Sequence, residues 1–306
     1  MTHDTHPRDL VGIGELARRT GVSVRTIRFY CDEGVLPSRR TSGGHRVFEP
    51  DVVDRLLAIR RLRALGLGLD AIDAIASGAL AVEDALAGER ASVRAELDAL
   101  SWRDAALLAI EQAPPAERAT RIALLAGAAD RTVVRGAITD FWRRVLAVMP
   151  AEMFDGFVEM DVPRIPANPT PDQVLAFAEL AQLVSTPELG NVVAWQLWRS
   201  GADQIRDKRA LVLALAEPHA AVAQRVLAAD RPCAGAELDQ YVAAHAEVRG
   251  RADTPAFRRQ LVAGVPDAHP ATTRYWALTA GILGAPTTTG TTQHWLHTAL
   301  RESVAD

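Results

Sequence analysis

The sequence predicts a mostly α-helical chain: an N-terminal winged helix-turn-helix with a small β-hairpin wing, a long coiled-coil helix and an all-α C-terminal domain. Three observations support this prediction. Two short helical segments meet at Gly21 and precede a glycine-rich turn. Leucine and valine recur every seven residues between positions 86 and 107. From residue 116 onward apolar residues recur at helical spacing, and no strand-like alternation persists.

The helix-turn-helix is predicted from residues 12–32. Apolar residues share one face of residues 12–21, and Gly21 ends that helix. The Ser23 hydroxyl can cap the next helix by accepting a hydrogen bond from its first turn. We expect the second helix to bury Ile27 and Cys31, and to leave four side chains largely outward, namely Arg25, Thr26, Arg28 and Tyr30. In a helix-turn-helix this second helix enters the major groove of DNA.

Residues 38–48 predict the wing, because Gly43 and Gly44 permit the positive φ angles of a tight hairpin. The basic residues of this hairpin are Arg39, Arg40, His45 and Arg46. Two further helices are predicted, one from about Pro50 to Leu65 and a short one from Leu69 to Ala76.

Charge is unevenly distributed along the chain. All 306 residues carry a net charge of -4, yet residues 1–66 hold twelve arginines against eight acidic residues. Residues 1–66 therefore have a net charge of +4 and the rest of the chain has a net charge of -8. A basic N-terminal segment on an otherwise acidic chain favours nucleic acid as the partner of that segment alone. We interpret residues 10–80 as a DNA-binding domain and residues 1–9 as a disordered leader.

A long dimerisation helix is predicted over residues 81–113. Its seven-residue repeat is typical of a helix that pairs with another helix, and the predicted contacts are Leu86, Val93, Leu97, Leu100 and Leu107. The alternative is an amphipathic helix that packs on its own chain. Pro114 and Pro115 end the helix, and residues 116–306 then form the all-α domain.

Five segments of the N-terminal third occur in a linked order: IGELA from Ile13, GVSVRTIRFY from Gly21, GVLP from Gly34, GGHRVF from Gly43 and IRRLRALG from Ile59. In these segments, and in the long helix that follows, residues 10–113 resemble the MerR family of transcription regulators. The resemblance implies a homodimer joined by an antiparallel coiled coil of the long helices. It also implies binding to double-stranded DNA at pseudo-palindromic promoter operators, which such proteins twist so that RNA polymerase, an indirect partner, can use them.

We expect Arg25, with Thr26 beside it, to read base edges, because arginine pairs well with guanine. The other basic and hydroxyl side chains would hold phosphates, which positions the protein without reading sequence. The family often has tyrosine where this chain has His45. Alternatively, several arginines only solvate the surface or pair with nearby acids. The predicted DNA-binding residues are Arg18, Ser23, Arg25, Thr26, Arg28, Tyr30, His45, Arg46, Arg60 and Arg63.

The C-terminal domain is predicted to bind an organic, hydrophobic effector. No cysteine lies between Cys31 and Cys233, which argues against the family's metal-sensing type of site, and we predict no metal and no cofactor. His294 and His297 lack a third ligand, as do His3 and His6. Aromatics in a helical domain are also typical of a core. The predicted pocket residues are Trp142, Phe177, Trp195, Trp198, Tyr241, Tyr275 and Trp276, with Glu159, Asp161, Gln196, Arg199 and Asp203 as polar partners.

The sequence contains no motif that is typical of an enzyme. The chain has no Ser–His–Asp or Cys–His arrangement, no phosphate-binding glycine loop and no H-E-x-x-H motif, so we predict that it is not an enzyme. The polar start of the sequence and the lack of a long apolar run predict a cytoplasmic protein without a membrane partner. The alternatives are a binding protein that sequesters a toxic compound and regulates its own expression, and a ligand-independent regulator whose helical domain contacts a protein.

Overall fold

The computed structural model describes residues 10–199, 201–263 and 267–305, so the predicted leader at 1–9, with His3 and His6, lies outside the described residues. The chain divides into two compact units, Met1–Leu97 and Asp98–Asp306. One helix of 30 residues runs through this division. The domain boundaries at residues 80 and 113–116 remain predictions.

The first unit is a winged helix-turn-helix, and the predicted fold class is confirmed. Its four helices follow one another as expected from the sequence, and the two strands of the predicted wing lie between the second and the third helix. The helices are α1 (Ile13–Thr20), α2 (Val24–Asp32), α3 (Val52–Ala64) and α4 (Leu69–Ala76), and the strands are β1 (Val11–Gly12), β2 (Arg39–Arg40) and β3 (Arg46–Phe48).

The turn between α1 and α2 forms as the sequence predicts. Gly21 has a φ of 70°, in the left-handed region that favours glycine, and its N–H donates to the carbonyl of Ala17. The Ser23 hydroxyl accepts a hydrogen bond of 3.1 Å from the backbone N–H of Thr26. A glycine stop and a serine cap on either side of Val22 therefore fix the angle at which α2 leaves α1.

The sheet contains one strand that the sequence does not predict. β1 pairs antiparallel with β3, so that Val11 lies opposite Phe48 and Gly12 opposite Val47, and the order is β1-β3-β2. The prediction had placed Gly12 inside the first helix. A strand of two residues is too short to show the alternation by which strands are recognised.

The core of this unit contains a side chain that was expected to face outward. Tyr30 is only 8% exposed and packs with Leu16 and Ile27, whereas its neighbour Phe29 is 50% exposed. Residues three apart share a helix face, so Tyr30 lies on the buried side together with Ile27. The predicted outward placement of Tyr30 is therefore wrong.

The second unit is all α-helical apart from one short 3₁₀ turn in its described residues. Its N-terminal part begins with the second half of α5. The helices are α5 (Val82–Glu111), α6 (Arg118–Gly127), α7 (Arg131–Val145), α8 (Ala151–Asp161), α9 (Pro171–Val184), α10 (Pro187–Trp198), α11 (Lys208–Leu227), α12 (Ala236–Glu247), α13 (Pro255–Val262), α14 (Pro270–Leu283) and α15 (Thr289–Glu302).

Two hydrophobic cores lie within this unit. One contains residues from each of the helices α5 through α10 and from α14, among them Ile138 and Phe177. The other joins α11, α12, α13 and α15, around residues such as Tyr241 and Leu296. The space between these two cores is the location of the cavity described below.

One helix of this unit contains a residue that usually ends helices. α11 continues through Pro218. Proline removes one backbone hydrogen bond from a helix, but here Leu215 and Val222 are buried on either side and hold the helix together.

α11 is also the one helix among the described residues that is long and apolar enough to cross a membrane by length and composition. Core helices of globular proteins often have the same composition. It packs against α12 and α15 through Leu211, Leu215 and Val222, and it carries Glu217 and His219 in its centre. These contacts are those of a core helix.

The core of the first unit predicts a stability difference between two leucines. Leu16 is fully buried, whereas Leu65 is 65% exposed. We expect Leu16→Ala to lower the free energy of unfolding by about 2–5 kcal/mol, because it leaves a cavity. Leu65→Ala, the matched control, should change it by less than about 0.5 kcal/mol. Chemical denaturation of the full chain measures both, and equal effects would contradict the described core.

Candidate DNA interface and ligand cavity

The outer face of α2 is basic and largely exposed. Arg25 and Arg28 are both exposed, and neither forms an ion pair within the described part of the chain. Thr26 is half-buried, and its hydroxyl lies 2.7 Å from the Ser23 hydroxyl. Two unpaired guanidinium groups on one turn of a capped helix form a surface suited to a polyanion.

The wing adds positive charge beside this helix, but its arginines are not equally available. Arg39 pairs with Glu49 at 3.0 Å, while Arg40 and His45 are exposed. Arg46 forms an ion pair of 2.5 Å with Asp32 and donates to the Arg28 carbonyl at 3.3 Å. Arg46 therefore fits the alternative in which an arginine pairs with a nearby acidic residue, and this pair connects the wing to α2.

Arg18, Arg60 and Arg63 also have partners within this unit. Arg18 pairs with Glu15 on the surface of α1. Arg60 donates to the carbonyl of Thr20 at 2.8 Å, and Arg63 to the carbonyl of Leu67 at 2.7 Å. These last two side chains satisfy carbonyls at the ends of helices, so they have a structural role whether or not they also contact phosphate.

α5 carries apolar side chains on two faces. In its second half Trp102, Ala105 and Ala109 are buried. The heptad positions are instead exposed by 36% to 57% of their surface, and they are Leu86, Val93, Leu97, Leu100 and Leu107. At roughly 100° per residue, Leu100 and Leu107 lie nearly opposite the buried face. A helix that packed only on its own chain would not explain why this row is both apolar and exposed.

A cavity of about 500 Å³ lies within the second unit, between its two hydrophobic cores. Such a volume is in the range of small-molecule sites. Its walls come from α7, α8, α10, α11, α14 and the start of α15. The lining is mostly apolar and includes Trp142, Leu146, Met149, Met153, Phe157, Met160, Val193, Leu197, Val212, Leu215, Ala216, Ala220, Ala223 and Trp276.

A few polar groups are also placed on the cavity wall. Asp161 is buried, and its two carboxylate oxygens accept hydrogen bonds from the N–H and the hydroxyl of Thr289, at 2.8 and 2.6 Å. Burial raises the pKa of Asp161, and the hydrogen bonds from Thr289 oppose that rise. His219 contacts the Thr292 hydroxyl at 2.7 Å, and burial lowers the pKa of His219 to about 4. At neutral pH this histidine is therefore uncharged.

Two of the seven predicted pocket aromatics, Trp142 and Trp276, line the cavity. Phe177, Tyr241 and Tyr275 are buried in the two cores. The other two lie elsewhere: Trp195 is 60% exposed, and Trp198 stacks under the ammonium of Lys208 at 5.2 Å. The structure therefore does not place these five aromatics on the lining of this cavity. Of the predicted polar partners, Asp161 and Gln196 line the cavity, and Glu159, Arg199 and Asp203 do not.

The methionines of α8 and the preceding turn are the lining residues that sequence reasoning missed. Met149, Met153 and Met160 account for three of the four methionines in the chain, and all three line the cavity. Methionine side chains adapt their shape to a bound molecule. Their concentration within twelve residues was a signal in the sequence that could have found this wall.

A buried polar network lies behind the cavity. His297 contacts Asp267 at 3.0 Å through Nδ1, and Asp267 also pairs with the buried Arg199. Burial, with the charge of Arg199, lowers the pKa of His297 to about 4, so this neutral ring donates a hydrogen bond. Burial would raise the pKa of Asp267, but His297 and Arg199 hold it at about 2. Gln293 links this network to the cavity, since it contacts His297 and lines the cavity.

The histidine pair on α15 does not converge on one point. His294 is exposed, whereas His297 is buried beside Asp267. Within the described ranges no group of three or more histidine, cysteine or acidic side chains is arranged to hold a metal ion.

Gly290 allows Trp276 to form part of the cavity wall. A Cβ at this position would lie inside the indole ring of Trp276, whereas a Cβ at Gly281 would meet nothing within 4 Å. We expect Gly290→Ala to lower the free energy of unfolding by about 1–3 kcal/mol and to change tryptophan fluorescence, because the ring must move. Gly281→Ala, also in a helix, should stabilise by about 0.5–1 kcal/mol. A Gly290→Ala protein as stable as the wild type would contradict this contact.

Comparisons with known proteins place the first unit in a family. A family model described as MerR HTH family regulatory protein matches residues 12–79, which include α1 to α4. The nodulation protein NolA of Bradyrhizobium sp. (strain NC92) is 42% identical over 87 residues, which are 28% of this chain and 37% of NolA. The transcriptional activator TipA of Streptomyces lividans is 38% identical over 106 residues, which are 33% of this chain and 40% of TipA.

The match therefore spans about two fifths of the length of NolA and of TipA. The HTH-type transcriptional regulator MerD of Shigella flexneri is matched almost completely. It is 35% identical over 118 residues, which are 37% of this chain and 95% of MerD. Since the family model matches the helix-turn-helix and its wing, and the match to MerD covers nearly the whole of that relative, this chain belongs to the MerR family of helix-turn-helix regulatory proteins.

Proposed function

We propose that this chain is a homodimeric, sequence-specific DNA-binding transcription regulator that responds to an organic effector bound in its second unit. The observation that carries the proposal is the exposed basic face of α2, where Arg25 and Arg28 have no acidic partner in the described residues. A capped helix with unpaired arginines, beside a basic wing, has the form of a major-groove reader. Two of the relatives named above, TipA and MerD, are a transcriptional activator and a transcriptional regulator by their printed names.

The contacts divide into two kinds. Arg25, with Thr26, is proposed to read base edges, since an arginine–guanine pair is worth about 1–3 kcal/mol of discrimination. Arg28, Arg40, His45 and Arg46 are proposed to hold phosphates. Arg46 would then contact DNA while it remains paired with Asp32.

The homodimer is proposed to form through the exposed row on α5. A solvent-exposed stripe of leucine and valine on a helix of 30 residues has the spacing of a coiled-coil seam. Its burial against a second copy would remove apolar surface from water and bring two recognition helices onto one operator. Contact with RNA polymerase would be indirect, through the distorted DNA.

The effector is proposed to bind in the cavity between the two cores of the second unit. A ligand that prefers one of two dimer geometries would shift their populations and so change the distortion of the DNA. The open, apolar cavity also supports a protein that sequesters its ligand. A ligand-independent regulator would not need such a cavity.

DNA binding is tested with duplexes selected by the full chain from a random pool. If about six phosphates are contacted per dimer, the logarithm of affinity should fall with the logarithm of salt at a slope of about -5 in filter binding. Arg25→Ala should relax the base preference at one position, and Arg46→Ala should weaken all sequences alike. Arg301→Ala, which removes the same charge from an exposed site in the second unit, is the control.

Two results would contradict the DNA-binding proposal. One is a salt slope near zero, because it would mean that no phosphates are contacted. The other is an equal loss of affinity from Arg25→Ala and Arg301→Ala, since the face of α2 would then have no special role.

Dimerisation is tested by adding a charge to the α5 row. Leu97→Glu should turn a dimer into a monomer in sedimentation velocity, because an ionised carboxylate cannot be buried in the seam without a partner. Leu97 is 57% exposed, so the fold of one copy should be unaffected. Leu213→Glu, at an exposed leucine of α11, is the matched control and should leave a dimer. A dimer that survives Leu97→Glu would refute this interface.

A further inference from the structure

The charge of the cavity wall is set by one side chain. Among the described residues no lysine or arginine lines the cavity, and Asp161 is the one acidic residue on its wall. His219 adds no charge at neutral pH, because burial lowers the pKa of this histidine to about 4. The remaining polar lining consists of threonine and glutamine side chains, which are uncharged.

Asp161 has no cationic partner of its own. Both of its oxygens accept hydrogen bonds from Thr289, as an ionised carboxylate does, and no arginine or lysine of the described ranges pairs with it. The positive end of α15 contributes part of the stabilisation, since Thr289 begins that helix. A buried carboxylate without a counter-ion creates a negative potential in a site of low dielectric constant.

Two indole rings, those of Trp142 and Trp276, line the same cavity as this carboxylate. Thr289, which binds Asp161, is followed by Gly290, and the indole of Trp276 packs on that glycine. The rings of Trp142 and Trp276 lie 5.4 Å apart at an angle of 39°. The faces of indole rings attract cations. The carboxylate and the two indoles therefore favour the same sign of charge.

Most of the remaining lining is apolar and adaptable. Met153 and Met160 on α8 supply flexible thioethers, and Ala216, Ala220 and Ala223 on α11 leave room between the helices. These walls would cover the apolar body of a ligand. A small hydrated cation would gain nothing from them.

We propose that the cavity selects apolar organic cations, with Asp161 as the counter-ion and with Trp142 and Trp276 as aromatic contacts. This inference rests on the proposal that the cavity is the effector site, and it adds the charge of the ligand. A neutral molecule of the same shape would bind more weakly, and an anion would be repelled.

The test uses two probes of the same shape and opposite charge, tetraphenylphosphonium and tetraphenylborate. Calorimetric titration of the full chain, without DNA and in a potassium-free buffer, measures the affinity of each. We expect the phosphonium to bind at least tenfold more tightly than the borate. Asp161→Asn should remove most of this difference, because the amide can still bond Thr289 but carries no charge.

A second pair of variants keeps the proposal testable if Asp161→Asn is unstable. Met160 lines the cavity and is 67% exposed, so substitution there leaves the core intact. Met160→Lys should lower the affinity for the phosphonium at least tenfold and raise that for the borate. Met160→Gln, a neutral control of similar length, should leave the preference of the wild type unchanged.

Three results would overturn the proposal: borate binding as tight as phosphonium binding, an unchanged preference in Asp161→Asn, or no binding of either probe up to its solubility. Tight binding of the borate would leave an organic effector in place and reject only the cation. Since DNA is absent from the titration, none of these results depends on whether the first unit binds an operator.

Discussion

The structure depends on the fact that α5 presents apolar side chains on two faces. One face, with Trp102, Ala105 and Ala109, is buried in the helical core of the second unit. The other face, which carries Leu100 and Leu107, is exposed. One face of this helix therefore packs within its own chain through small and aromatic residues, and the other is the face that the proposed homodimer would bury. A helix of 30 residues is roughly 45 Å long.

Charged side chains with and without an opposite charge nearby occur in both units. In the first unit Arg60 and Arg63 satisfy helix ends and Arg46 fastens the wing to α2, which leaves Arg25 and Arg28 without local acidic partners in the described residues. In the second unit the buried Arg199 pairs with Asp267. Asp161 differs from Asp267, because it is buried with hydrogen-bond donors and has no cationic partner among the described residues.

The sequence predicted the elements whose signals are local. A glycine stop and a serine cap define the turn around Val22, and both are visible in the sequence. The sequence also carries a local signal for the burial of Tyr30, since this residue lies three positions after Ile27 and shares its helix face. The cavity could not be assembled from the sequence, since its walls come from six helices between α7 and α15 and tertiary packing determines which aromatics line it. Two predicted aromatics line it, and the methionine wall was missed.

The proposed homodimer requires that the exposed rows of α5 from two copies contact each other. Site-specific photo-crosslinking tests it most directly in the full chain, with benzoylphenylalanine in place of Leu100. The control places the same group at Leu227, which is similarly exposed on α11. If two copies meet through this row, illumination should give a covalent dimer from position 100 and none from position 227. Equal crosslinking at both positions, or none at position 100, would contradict it.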